Sequence, residues 1–201
     1  MAKSAFGGLL LYSLLLMASC PALCGGNPDA ISTKEISPEE AELTLEAESL
    51  VQQFAGTLKP QLQAAMQQGG PVHAINVCAE VAPRIARQLS DSSGWQVKRV
   101  SLKARNSGTA VPDSWEREIL QQFDQRRAAG ELPQQLTVAA AVDGKFRYMK
   151  AQGVEPLCLT CHGETLDPQV RAALQQRYPD DQATGYREGQ IRGAFSLSKS
   201  L

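Results

Sequence analysis

The sequence predicts an α+β domain in which helices pack on an antiparallel sheet. Three observations predict it. Residues 43–66 and 74–89 carry apolar side chains at three- and four-residue steps, the period of an amphipathic helix. Later segments alternate apolar and polar residues, and two of them are joined by Asp143-Gly144, a two-residue hairpin turn. The order runs helix, helix, strand, helix, hairpin, cysteine-bearing loop, helix, strand, without an internal repeat.

Composition sets the outer bounds. A chain of 201 residues can bury one proper core, and 43% hydrophobic with 20% charged residues is the balance of an ordinary soluble domain. A formal net charge of -1 gives no reason to expect nucleic acid or an anionic membrane surface as partner.

Residues 1–24 read as an export signal: Lys3 supplies the positive start, and residues 9–17 form an apolar run too short to span a bilayer. Met17-Ala18-Ser19-Cys20 approaches a bacterial lipobox, in which Cys20 would become a lipidated first residue and the only link to a membrane. Ordinary signal-peptidase cleavage after Cys20, Ala22 or Cys24 is the alternative. Either route places the mature chain in the periplasm. Residues 25–37 read as a flexible leader, and residues 38–201 as one domain.

Ser37-Pro38-Glu39-Glu40 supplies an N-cap, a first-turn proline and acidic residues for a long N-terminal helical segment. Gly56 and Pro60 are expected to kink or divide it, and Gly69-Gly70 to end it. Pro71 opens a second helix whose apolar stripe is Ala74, Ile75, Cys78, Val81, Ala82, Ile85 and Leu89. Pro83 removes one of its hydrogen bonds, so a local break near Ala79 is expected. Residues 95–101 alternate as a strand, and residues 103–112 form a loop. Asp113, Ser114 and Glu116 start a helix running to Gly130. Residues 135–142 and 145–152 form the hairpin, residues 168–177 a short helix, and residues 191–198 the last strand.

Between the hairpin and the short helix lies Leu157-Cys158-Leu159-Thr160-Cys161-His162-Gly163. Cys-x-x-Cys-His is the attachment pattern of a c-type haem. Two thiols three residues apart can add across the porphyrin vinyl groups, and the adjoining imidazole then sits beneath the iron as proximal ligand. Cys-x-x-Cys alone also suits a redox dithiol or half of a zinc site, and Cys158, Cys161, His162 and Cys78 could make a structural zinc module. Only His73 and His162 occur, which excludes several haems with paired histidines. The remaining cysteines, Cys20, Cys24 and Cys78, cannot make a framework of several disulfides.

Four side chains could complete the iron: Met66, His73, Cys78 and Met149. His73 and Cys78 are five residues apart, about 140° around a helix, so they cannot both face one haem. Cys78 lies on the apolar stripe and His73 does not, which favours Cys78. A small buried hydrophobe, or a disulfide to Cys24, are other readings of Cys78. Met66 and Met149 read most simply as packing. For the haem propionates, Arg99, Lys103 and Arg105 form a basic cluster, and the guanidinium fork makes Arg105 the first choice. A solvated charge run explains the cluster as well. Trp115, Phe146, Tyr148 and Phe195 are candidate pocket walls, or plain core.

The motif order carries a resemblance. Asn76-Val77-Cys78, residues 99–106 (RVSLKARN), residues 112–116 (PDSWE), the Cys-x-x-Cys-His run, Gly185-Tyr186 and residues 193–196 (GAFS) follow one another here. This succession resembles the Tll-like haem family, long described as a domain of unknown function. Across about residues 40–200 the resemblance implies a PAS-like antiparallel sheet flanked by helices and one covalent haem c. It also implies His162 as proximal and Cys78 as distal iron ligand. The chain departs from that pattern at residues 106–109 (NSGT), where Asn-Pro-x-Asn is usual, and at Gln190, where an acid is common.

The expected function is therefore a mono-haem c-type cytochrome working in electron transfer with a separate redox protein. An anionic sulfur ligand favours ferric iron and a low potential. The alternative is a haem-based redox or gas sensor that signals through a separate partner, with Cys78 leaving the reduced iron. No nucleophile–base pairing points to an enzyme.

Overall fold

The computed structural model describes residues 37–201. The export signal, Cys20, Cys24 and the leader up to residue 36 lie outside the described residues.

Ser37 starts helix α1 (Pro38–Ser93) with a capping box: Glu40 N–H donates to Ser37 Oγ and Ser37 N–H to Glu40 Oε2, both at 3.1 Å. The backbone leaves helical dihedrals at Gly70 (φ 67°, ψ -166°), so α1 is two arms that meet where the Gly-Gly pair predicts an end. Pro60 and Pro83 behave otherwise than expected. Helical structure continues through both, and no break forms at Ala79. Each proline removes one intrahelical bond, but both arms are held by buried stripes, Leu50, Val51, Phe54 and Leu58 in one and Ala74, Ile75, Ala82 and Ile85 in the other.

Four antiparallel strands follow, β1 (Gln96–Val100), β2 (Thr137–Val142), β3 (Lys145–Gly153) and β4 (Ile191–Ser200), in the order β1-β4-β3-β2. Asp143 and Gly144 both take positive φ, 51° and 70°, which matches the twist of the β2–β3 hairpin. One sheet face presents Val97, Phe146, Tyr148, Phe195 and Leu197 to α1. The other presents Val100, Met149, Ala151 and Ala194 to α2 (Ser114–Ala128) through Ile119, Leu120 and Phe123. This is the α+β, PAS-like sheet flanked by helices that the sequence leads one to expect. The cysteine-bearing stretch is a short helix, α3 (Pro156–His162), where a loop is expected, because Pro156 pre-sets its first turn. Helix α4 (Pro168–Arg177) follows as expected. No described helix is long and apolar enough to cross a membrane.

Phe54 links the first arm to the sheet. It is 1% exposed, meets Phe195 edge-on at 5.2 Å between centroids, and carries the Arg99 guanidinium on its face. Phe54→Ala should cost about 3–5 kcal/mol by opening a cavity there. Denaturant unfolding would read this as a lower midpoint at unchanged slope.

Candidate functional site

The site lies at the end of the sheet where β1 and β3 leave and β4 enters. Within α3, Cys158 and Cys161 are three residues apart and His162 is four from Cys158, so all three share one helix face. Both thiols are free and half-buried. Glu155, just before α3, pairs with Lys59 on the first arm of α1 at 2.7 Å. Gly163 closes the helix with its N–H on Leu159 O at 2.9 Å, and a Cβ there would stand 2.6 Å from that same oxygen. Gly163→Ala should therefore push the end of α3 open and lower the yield of pigmented protein, read as absorbance per chain.

The segment 181–190 clasps this helix. Gly185 N–H donates to Gly163 O at 3.0 Å and Tyr186 N–H to His162 O at 2.9 Å. Arg105 ties the clasp together: Nε pairs with Asp181 at 3.1 Å, and Nη2 donates to Cys161 O at 2.5 Å and Ala183 O at 3.2 Å. Arg105 is thus occupied by the protein's own acceptors.

His162 Nδ1 stands 2.7 Å from Ala183 O, and its ring meets Tyr186 edge-on at 6.4 Å. The shortest contact sets the tautomer: Nδ1–H donates to the carbonyl, and Nε2 keeps its lone pair. Arg192 Nε, 3.1 Å from Nδ1, would require the opposite tautomer to donate there, and Arg105 Nη1 stands 3.4 Å from Nε2. Burial, then the Arg192 and Arg105 charges, hold the imidazole pKa well below its ordinary value. The ring is neutral at physiological pH.

Cys78, on the second arm of α1, couples electrostatically to Cys158, Arg99, Arg105 and Arg192, and also to Cys161. Ile75, one turn earlier, packs with Leu166, Val170 and Leu174 in a cluster that Cys161 joins. The structure therefore brings Cys78 to the motif. Burial pushes its thiol pKa up, against the pull of those arginines.

The other candidates fall elsewhere. His73 is exposed, and Met149 is fully buried under α2 on the opposite sheet face. Trp115 also belongs to the α2 side, where Arg147 lies over its ring at 4.3 Å. Phe146, Tyr148 and Phe195 are core beneath α1. Among the described residues no three His, Cys, Asp or Glu side chains are grouped to hold a metal ion, so the zinc module lacks its geometry. Sequence reasoning passed over Arg192, which enters the site from the start of β4, 30 residues beyond the histidine it meets. Its charge gave no separate indication in the sequence.

A c-type haem suits these residues: two free thiols on one face, a neutral imidazole with a free Nε2, a third thiol nearby, and an excess of cations. Comparison with known proteins supports haem binding. The crystal structure of the cyanobacterial heme-protein Tll0287 matches with a TM-score of 0.60 and 29% identity, over 82% of this chain and 97% of that one. No curated protein matches. The sequence model of the Tll0287-like family covers residues 32–200, every strand and helix described above included, and the chain belongs to that family.

Proposed function

We propose that this chain is an exported mono-haem c-type cytochrome acting in electron transfer, with haem attached through Cys158 and Cys161 and iron held by His162 and Cys78. The observation that carries the reading is the geometry at His162, half-buried with Nδ1 2.7 Å from Ala183 O, beside two free thiols on the same helix. The related Tll0287 is a heme-protein, which supports extending that group to this chain.

The haem supplies a one-electron couple. Everything else falls to the protein. The Nδ1–H···O bond orients the imidazole and raises its donor strength at Nε2. The Arg105 Nη1 contact to Nε2 is long, and metal ligation would replace it. Cys78 reaches the site from a helix fastened by its own apolar stripe, and its sulfur would favour the ferric state. The Ile75–Leu166–Val170–Leu174 cluster packs against Cys161, and the Val154–Ala183–Tyr186 cluster against Cys158.

The test is an absorption spectrum of the ferric and ferrous protein, produced in a host that matures c-type cytochromes, with Cys78→Ala and His73→Ala beside it. Cys78→Ala should alter the ferric spectrum and His73→Ala should not. A change produced only by His73→Ala overturns the ligand assignment. The sensor alternative predicts that the reduced protein binds carbon monoxide, whereas a carrier coordinated on both sides refuses it.

A further inference from the structure

We propose that Arg99 and Arg192 are the counter-ions of the two haem propionates, while Arg105 is a structural clamp on the attachment motif. This rests on the haem reading above and assigns the chain's own residues within that site.

Three guanidinium groups converge on Cys78 and His162, and among the described residues the carboxylate beside them is Asp181, which Arg105 holds. Arg99 projects from β1 toward the first arm of α1. Among the described residues it makes no hydrogen bond or ion pair, and its recorded contact is the face of Phe54, 5.2 Å away. Arg192 Nη1 donates to Ser101 Oγ at 2.9 Å and Lys103 O at 3.3 Å, and the group lies 5.6 Å from the Tyr186 ring centre. Among the described residues no carboxylate makes an ion pair with it, and Asp181 acts on it only through space while paired to Arg105. Both residues are half-buried.

A guanidinium does not shed its proton at neutral pH, so burial without an anion leaves a desolvation cost uncompensated. Two such groups beside each other suit an anion that the chain does not itself encode. A haem carries two, its propionates, and a guanidinium fork fits a carboxylate with two parallel bonds. The Cys78 thiolate answers at most one of the cations. Arg105 differs because its acceptors, Asp181, Cys161 O and Ala183 O, are already in place.

The experiment uses holoprotein of the full chain, with Arg99→Gln, Arg192→Gln, Arg99→Lys and the exposed control Arg177→Gln. Acid–acetone extraction first asks whether wild-type haem is covalent; pigment that extracts sinks the covalent attachment proposed above, and a colourless protein sinks the haem reading itself. With haem retained, reduction potential is followed from pH 5 to 9. A propionate deprived of its guanidinium titrates nearer neutrality, so each glutamine variant should gain a pH-dependent step that wild type and Arg177→Gln lack. Arg99→Lys should suppress that step. Glutamine variants with the wild-type profile overturn the assignment. Should the variants fail to accumulate, the infrared difference between reduced and oxidised wild type decides. The propionates should stay ionised down to about pH 5, below which free carboxylic acids protonate. A protonated-propionate band above that pH overturns the proposal.

Discussion

Replacing Cys158 and Cys161 together with serine will yield a chain that folds but surrenders all of its pigment to acidified acetone. With haem attached as proposed, its two thioether bonds would be the links that survive denaturing solvent, and serine cannot form them. Each single replacement should retain pigment by one remaining bond, with a shifted absorption maximum from the unreacted vinyl group. Folding should survive because α3 has no buried residue, and both thiols are only half-buried. A surface or half-buried exchange of this kind costs at most about 1 kcal/mol. Haem staining on a denaturing gel reads the outcome directly. Covalent pigment in the double variant would mean that the motif is not the attachment point.

The second large effect lies far from that motif. Glu116, in the first turn of α2, is 0% exposed. Its carboxylate accepts from Ser196 Oγ at 2.5 Å and from the Asp113 N–H at 2.9 Å, and pairs with Lys98 at 2.9 Å and Arg147 at 3.4 Å. Glu116→Ala removes a capping-box partner and leaves Lys98 and a buried hydroxyl without their carboxylate acceptor, while Arg147 keeps Asp113 at 2.6 Å. Breaking a buried pair from one side costs about 3–5 kcal/mol. The measurement is the denaturant midpoint of wild type and variant. Glu116→Gln keeps an acceptor oxygen and should fall between them. A loss below about 1 kcal/mol would show that water replaces the carboxylate, contrary to its burial.

What the sequence made legible divides along a physical line. Local rules worked where a few neighbouring residues decide the backbone. Ser37-Pro38 and Asp113 with Glu116 are helix starts, Gly69-Gly70 breaks α1, and Asp143-Gly144 turns the hairpin. The stripe argument separates Cys78 from exposed His73 for the same reason. Pro60 and Pro83 misled because the cost of one lost hydrogen bond is local, whereas the packing that offsets it comes from the sheet. Long-range chemistry stayed hidden. Nothing near Glu116 in sequence announces Ser196, and nothing near His162 announces Ala183 O or Arg192. Such partners follow from strand order, and β4 slips between β1 and β3 although it is made last.

The seven residues of α3, none of them buried, are far fewer than a helix needs to persist in water. Before any cross-link forms, their amide protons should exchange with solvent among the fastest of the folded domain, since a few contacts from Arg105 and from residues 183–186, with no buried side chain of their own, restrain them. A transiently frayed segment is what an attachment enzyme can grip, so thiol modification could follow folding of the sheet. Closing the ring between α1 and α3 afterwards would tie the early and late portions of the polypeptide together, and the slow-exchanging core should then extend into this last turn.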